Sequence, residues 1–147
     1  MKLISLKIRE SFRSLPANFE VRFLEDGQNL DLEEFRPFCM VGLNGCGKSN
    51  VLEALAQIFY QLELCVAVHL PQNILSDDEK LRTGGTIQSY HLEYLWHPNS
   101  LPTFELSNAR KVVIDKEFGK EPQMFVSSVN GSDKIQVSLS SSTINHM

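Results

Sequence analysis

The stretch Gly42-Leu43-Asn44-Gly45-Cys46-Gly47-Lys48-Ser49 constrains this chain more than any other. It has the form G-x-x-x-x-G-K-[ST], a loop whose backbone cradles phosphate. The fixed positions coincide by chance in about one chain in two hundred of this length, so the match carries weight. Its flanks have the right character. Phe38-Cys39-Met40-Val41 is a short apolar run that predicts a buried strand. Residues 50 to about 66 predict an amphipathic helix. Strand, glycine loop and helix are the setting the pattern requires.

Each residue type suits the chemistry. Glycines at 42, 45 and 47 let backbone approach an anion closely. Successive N–H groups can then form a concave nest, and the helix start adds unpaired donors and the positive end of its dipole. Lys48 supplies a compact cation for the outer phosphates. The Ser49 hydroxyl can ligate Mg²⁺, which takes few protein ligands.

The 147 residues are 42% hydrophobic and 22% charged, ordinary composition for one globular core. A net charge of −4 gives no sign of nucleic-acid binding, though a local basic groove would not register in the sum. No run reaches the 18 or so apolar residues of a membrane span. The N-terminus meets Lys7, Arg9 and Glu10 too early for a signal peptide. Three cysteines, Cys39, Cys46 and Cys65, lack metal-ligand spacing, and their odd count fits a reducing, cytoplasmic setting. Asn130-Gly131-Ser132 matches a glycosylation acceptor but reads there as a turn.

Taken in order, residues 3–9 and 19–23 alternate apolar and polar and predict two antiparallel strands. The acidic segment around Asp31, Glu33 and Glu34 predicts a solvated loop. In the helix, Leu52, Leu55, Phe59, Leu62 and Val66 predict the apolar stripe, with Glu53, Gln57, Gln61 and Glu63 off it. Pro71 marks a break, and the polar residues 72–85 read as a loop or a short helix followed by a turn. From residue 86 the signal is β. Strands are predicted at 89–96, 103–106, 111–115, 124–129 and 134–139, the last two joined by a hairpin turn at 130–133. His69, His91, His97 and His146 lack ligand spacing and read as incidental.

The string Val41-Gly42-Leu43-Asn44-Gly45-Cys46-Gly47-Lys48-Ser49-Asn50-Val51-Leu52-Glu53-Ala54-Leu55 resembles the N-terminal signature of ABC-class ATPase heads. That class includes the SMC chromosome proteins, RecF- and RecN-type repair ATPases, and the "AAA" ATPases of bacterial restriction and phage-defence loci. Leu6-Lys7-Ile8 followed by Ser11-Phe12-Arg13-Ser14 looks like their first strand and the turn after it. The likeness in sequence covers roughly the first 65 residues. The β-rich remainder is similar only in architecture.

The resemblance implies an α/β fold with α+β character: a P-loop NTPase lobe of ABC type, a mixed sheet with the loop's helix, and an antiparallel β meander. Residues 1–147 would form one N-terminal lobe, with strands, loop and helix in 1–70, a loop in 71–85 and a β-rich part in 86–147. It implies ATP and Mg²⁺ as ligands. Asn44, Gly45, Cys46, Gly47, Lys48, Ser49 and Asn50 would form the nucleotide site, with Ser49 on the metal and Arg13 near the nucleotide. Cys46 stands where such families carry a smaller Ser or Ala. Implied partners are a second ATPase head, closing on nucleotide, and DNA or a DNA-processing protein, with no membrane.

Parts needed for hydrolysis are missing. Val112-Val113-Ile114-Asp115 begins the apolar run that normally ends in Asp-Glu, but Lys116 follows, so it reads as an ordinary strand end. No L-S-G-G-Q segment occurs, and Gln88 and Gln123 are weak candidates for a sensing glutamine. The expected function is therefore an ATP-binding lobe of a DNA-associated ATPase, in repair, chromosome maintenance or restriction and phage defence. Hydrolysis would need segments absent from this chain. Two alternatives stand beside it: a non-catalytic nucleotide switch, and an ABC-transporter ATPase subunit, which the Asn50-x-Leu52-Glu53-Ala54-Leu55 form disfavours.

Overall fold

The structure, a computed structural model, describes residues 1–25, 37–66, 87–96, 110–129 and 134–137. Among these the chain is mixed α/β, mostly one six-stranded sheet with one helix. The elements run β1 (Lys2–Ile8), β2 (Phe19–Arg22), α1 (Lys48–Val66), β3 (Tyr90–Trp96), β4 (Arg110–Lys116), β5 (Gln123–Ser128) and β6 (Ile135–Val137). The sheet order is β2-β1-β3-β4-β5-β6, and every pairing is antiparallel. The predicted strand at 103–106, the loop at 72–85, the turn at 130–133, the acidic residues Asp31, Glu33 and Glu34, and His69, His97 and His146 lie outside the described residues.

Period-2 alternation decides the two faces. Leu6 and Ile8 on β1 stand opposite Leu92 and Tyr90 on β3, and Leu92 stands opposite Ile114 on β4. Ile114 in turn faces Met124 on β5. These side chains form one buried cluster with Val51, Ala54, Leu55 and Ile58 of α1, so the helix covers one face of the sheet. Phe59 adds a tilted ring contact to Tyr94, with centroids 6.0 Å apart. The opposite face carries Arg9, His91, Glu93, Lys111 and Asp115.

Two expectations need correction. The buried helix stripe keeps the predicted Leu55, with Phe59 and Leu62 at its margin, but its centre is turned away from Leu52 towards Val51, Ala54 and Ile58. Leu52 is 59% exposed, while Val51, Ala54, Leu55, Ile58 and even Gln61 point inward. Ala54 is fully buried in the core between helix and sheet. Inside, the Gln61 Nε2 donates to the Ile87 carbonyl at 3.3 Å, while its Oε1 is buried without a partner among the described residues.

The second correction concerns residues 38–41. They form no strand, and the expected mixed sheet is antiparallel throughout the described residues. A strand exists only where a neighbour accepts its hydrogen bonds, and among the described residues none runs alongside this segment. Phe38 makes an edge contact with Phe23 at 5.0 Å between centroids, and Met40 packs on the core, but Val41 is 94% exposed.

Candidate phosphate-binding loop

The loop at 42–47 is closed by its own lysine. Lys48, the first residue of α1, folds its side chain back so that Nζ donates to the Gly42 carbonyl at 2.6 Å and the Leu43 carbonyl at 2.8 Å. The Cys46 sulfur lies 3.5 Å from the same ammonium. A backbone bond from Cys46 N–H to Leu43 O, at 3.3 Å, tightens the turn. The carbonyls at the start of the loop thus face the ammonium, and the loop wraps around the start of α1.

Gly47 shows why the sequence needs glycine there. Its φ is +94°, and an added Cβ would lie 2.8 Å from Leu15 Cδ2 and 3.2 Å from Ser14 Oγ. Both the backbone conformation and the close approach exclude a side chain. Gly42 is constrained differently: a Cβ there would meet Cys46 Sγ at 2.7 Å.

The turn at 12–15 is the support behind the loop. Phe12 and Leu15 exchange backbone hydrogen bonds of 3.0 and 2.8 Å, and both side chains are buried. That leaves Arg13 and Ser14 at the tip, with Arg13 at φ +55°. Non-glycine residues in this region are uncommon and persist where the surroundings hold them. Here Ser14 Oγ accepts from Asn50 Nδ2 at 2.6 Å. Arg13 donates to Glu53 Oε1 from Nε at 3.3 Å and from Nη2 at 2.9 Å. Its guanidinium carbon also lies 5.8 Å from the Phe12 ring centroid.

The structure therefore brings Gly45, Cys46, Gly47, Lys48, Ser49 and Asn50 together at the N-terminus of α1, with Arg13 one helical turn along at Glu53. Asn44 sits exposed at the loop tip and Ser49 is exposed on the first turn. That first turn holds no acidic residue, so nothing of its own opposes an anion at the positive end of the dipole. The arrangement can hold an anion. Among the described residues the carboxylate beside it is Glu53, which Arg13 and the Gln57 amide already occupy.

Asp115 lies on the face of the sheet away from α1, because Val112 and Ile114 take the inward positions of β4. It is more than an ordinary strand end. Arg9 Nη2 donates to Asp115 Oδ1 at 2.5 Å, and His91 Nδ1 is 3.0 Å from the same oxygen. His91, expected to be incidental, also reaches Glu93 Oε1 with Nε2 at 3.3 Å. Lys111 Nζ is 3.1 Å from that atom. The legible signal was parity: His91 and Glu93, like Lys111 and Asp115, fall on the outward positions of adjacent strands.

Lys116 was missed as well. It is fully buried, with Nζ donating to the Gln88 carbonyl at 3.2 Å, and burial pulls its pKa down. Gln88 is thus engaged through its backbone, and Gln123 lies opposite Asp115 on β5, exposed.

Compared with protein-family models, with curated proteins and with solved structures, the chain finds no match. No helix among the described residues is long and apolar enough to cross a membrane. No group of three His, Cys, Asp or Glu side chains among them could hold a metal ion.

Proposed function

We propose that this chain is the ATP-binding lobe of a DNA-associated ATPase, with the P-loop fold of ABC-class heads and with hydrolysis completed by segments outside it. The observation that carries the reading is the Lys48 ammonium closing the 42–47 loop on the Gly42 and Leu43 carbonyls at the start of α1. An ammonium has three donors. Two meet the loop carbonyls and the third meets Cys46 Sγ, which holds the charge at the loop; the outer phosphates of a nucleotide would take over these contacts. The loop N–H groups and the helix dipole would add to it. For Mg²⁺ the chain offers the Ser49 hydroxyl, which suits a cation that keeps most of its water.

A second layer of protein is supported by exposed apolar surface beside the loop. Val41 and Leu43 are 94% and 86% exposed, and Leu52 and Tyr60 project from the outer side of α1 at 59% and 49%. Burying a side chain of this size contributes roughly 1.5–3 kcal/mol, so leaving four in water favours a covering partner. Residues 38–41, an apolar run with no strand beside it, suit a central position in a parallel sheet supplied by the rest of such a head. A second head, DNA and a cytoplasmic setting rest on the sequence resemblance alone.

One observation favours a second reading, a nucleotide-binding switch without hydrolysis. Asp115 faces away from α1, and Glu117 is exposed and paired with Lys120 at 2.5 Å. Neither is placed to activate water at the loop.

The test is Mg²⁺-dependent binding of a fluorescent ATP analogue, beside Lys48→Ala, with phosphate release followed in the same samples. Binding that is lost in the variant, without turnover by this chain, is the expected result. Adding the remainder of the head should then start hydrolysis; continued absence would favour the switch. No binding by the wild-type chain would overturn the reading.

A further inference from the structure

We propose that His91 is a protonation-controlled clamp on the open face of the sheet, its imidazolium bridging Glu93 of β3 and Asp115 of β4. The geometry makes this demand directly. Nδ1 lies 3.0 Å from Asp115 Oδ1, and Nε2 lies 3.3 Å from Glu93 Oε1. A neutral imidazole has one N–H and one bare lone pair, so only the protonated ring donates to both carboxylates. Without the proton, one lone pair faces a carboxylate oxygen.

The groups around the ring act in both directions. From β1 and the residue after it come Lys7, the cross-strand neighbour of His91, and Arg9, whose Nη2 is on Asp115. Ser5 donates weakly to Glu93 Oε2 at 3.4 Å. From β4 come Asp115 itself and Lys111, on Glu93. Glu117, Lys120, Glu121 and Gln123 line the shallow depression next to Asp115. Lys7, Arg9 and Lys111 oppose a further positive charge, and so does burial. The two carboxylates, in direct contact, prevail: the Glu93 hydrogen bond, partly offset by burial and reinforced by Asp115, holds His91 above its ordinary 6.5. Glu93 is in turn held down at about 2, chiefly by His91.

The two shifts define a window. A histidine with a raised folded pKa stabilises fully below its unfolded value and loses that contribution as pH rises through the folded one. A lowered carboxylate stabilises above its unfolded value, 4.5 for Glu93, and loses this as pH falls towards about 2. The stabilisation is therefore fully present at about pH 4.5–6.5 and fades outside that window, on the acid side towards about 2 and on the basic side as pH passes the raised value of His91. Arg9 also donates to the Tyr90 and Lys116 carbonyls, at 3.4 and 3.2 Å. The clamp therefore sits at the root of the connection that carries Ser14 and Leu15 to the loop.

The test is an NMR titration of the His91 ring in the full chain. It is paired with thermal unfolding of the wild type and His91→Gln at pH 5.5 and 8.5. His91 should titrate above an ordinary histidine. The variant should melt well below the wild type at pH 5.5, with most of that gap gone at 8.5. Glu93→Gln and Asp115→Asn, each read by the same titration, should move the His91 midpoint down. A midpoint at or below the ordinary value, or a melting gap equal at both pH values, would overturn the clamp.

Discussion

Asn50, in the first turn of α1, donates its side-chain amide to the Ser14 hydroxyl at 2.6 Å, and so pins the turn at 12–15 to the helix that follows the loop. Gly47 lies between them, against Leu15. The loop's shape is thus held from behind by a turn more than thirty residues earlier in the chain, which makes several substitutions informative.

Gly47→Ala forces a side chain into a left-handed backbone conformation and into Leu15. It should destabilise by about 2–4 kcal/mol, combining backbone strain with overpacking. Gly45→Ala shares the positive φ, +84°, but meets open space, so about 1–2 kcal/mol is expected. Urea unfolding of the two variants separates strain from collision.

Leu55 and Leu52 test which side of α1 faces the sheet. Leu55 is 8% exposed and belongs to the core cluster, so Leu55→Ala should cost about 2–4 kcal/mol. Leu52→Ala should fall within about 0.5 kcal/mol in the isolated chain. Equal costs in denaturant unfolding would contradict the observed helix orientation.

Arg13 and Glu53 form an exposed pair, with side chains 56% and 38% accessible. Arg13→Ala should therefore change stability by less than about 1 kcal/mol. If its guanidinium moves to phosphate when nucleotide binds, the same variant should weaken the ATP analogue by about tenfold, since a charge-assisted contact is worth roughly 1.5 kcal/mol or more. Titration of the analogue against both proteins checks this, and an unchanged affinity would confine Arg13 to supporting the turn.

Lys116 predicts a pH dependence of the opposite kind to His91. Its pKa is lowered by burial, so the unfolded chain binds its proton more tightly than the folded one. Stability gained from this group therefore rises as pH climbs from its folded pKa towards the ordinary 10.5. Lys116→Met removes the charge but keeps the stem. The free-energy difference, wild type minus variant, should increase from pH 7 to pH 10, measured by denaturant unfolding. A flat difference would mean that the ammonium is already well solvated or paired.

Much of the local structure was legible in the chain because its causes are local. Alternation in residues 3–9, 19–23 and 89–96, and the short apolar run within 111–115, located four strands to within a residue or two. The glycine pattern and the apolar run after Ser49 located the loop and the 19-residue helix. What lay beyond the sequence was every outcome that depends on partners far along the chain. Arg9 and Asp115 meet across 106 residues, and nothing at either position announces the other. Which side of α1 is buried depended on the sheet residues that Val51, Ala54, Leu55 and Ile58 meet in the core. Residues 38–41 have the composition of a buried strand, but composition cannot supply a neighbouring strand. The sequence by itself determined which segments curl or extend, through propensity and periodicity. Only the tertiary structure decided which faces met, because burial and ion pairing belong to two surfaces at once.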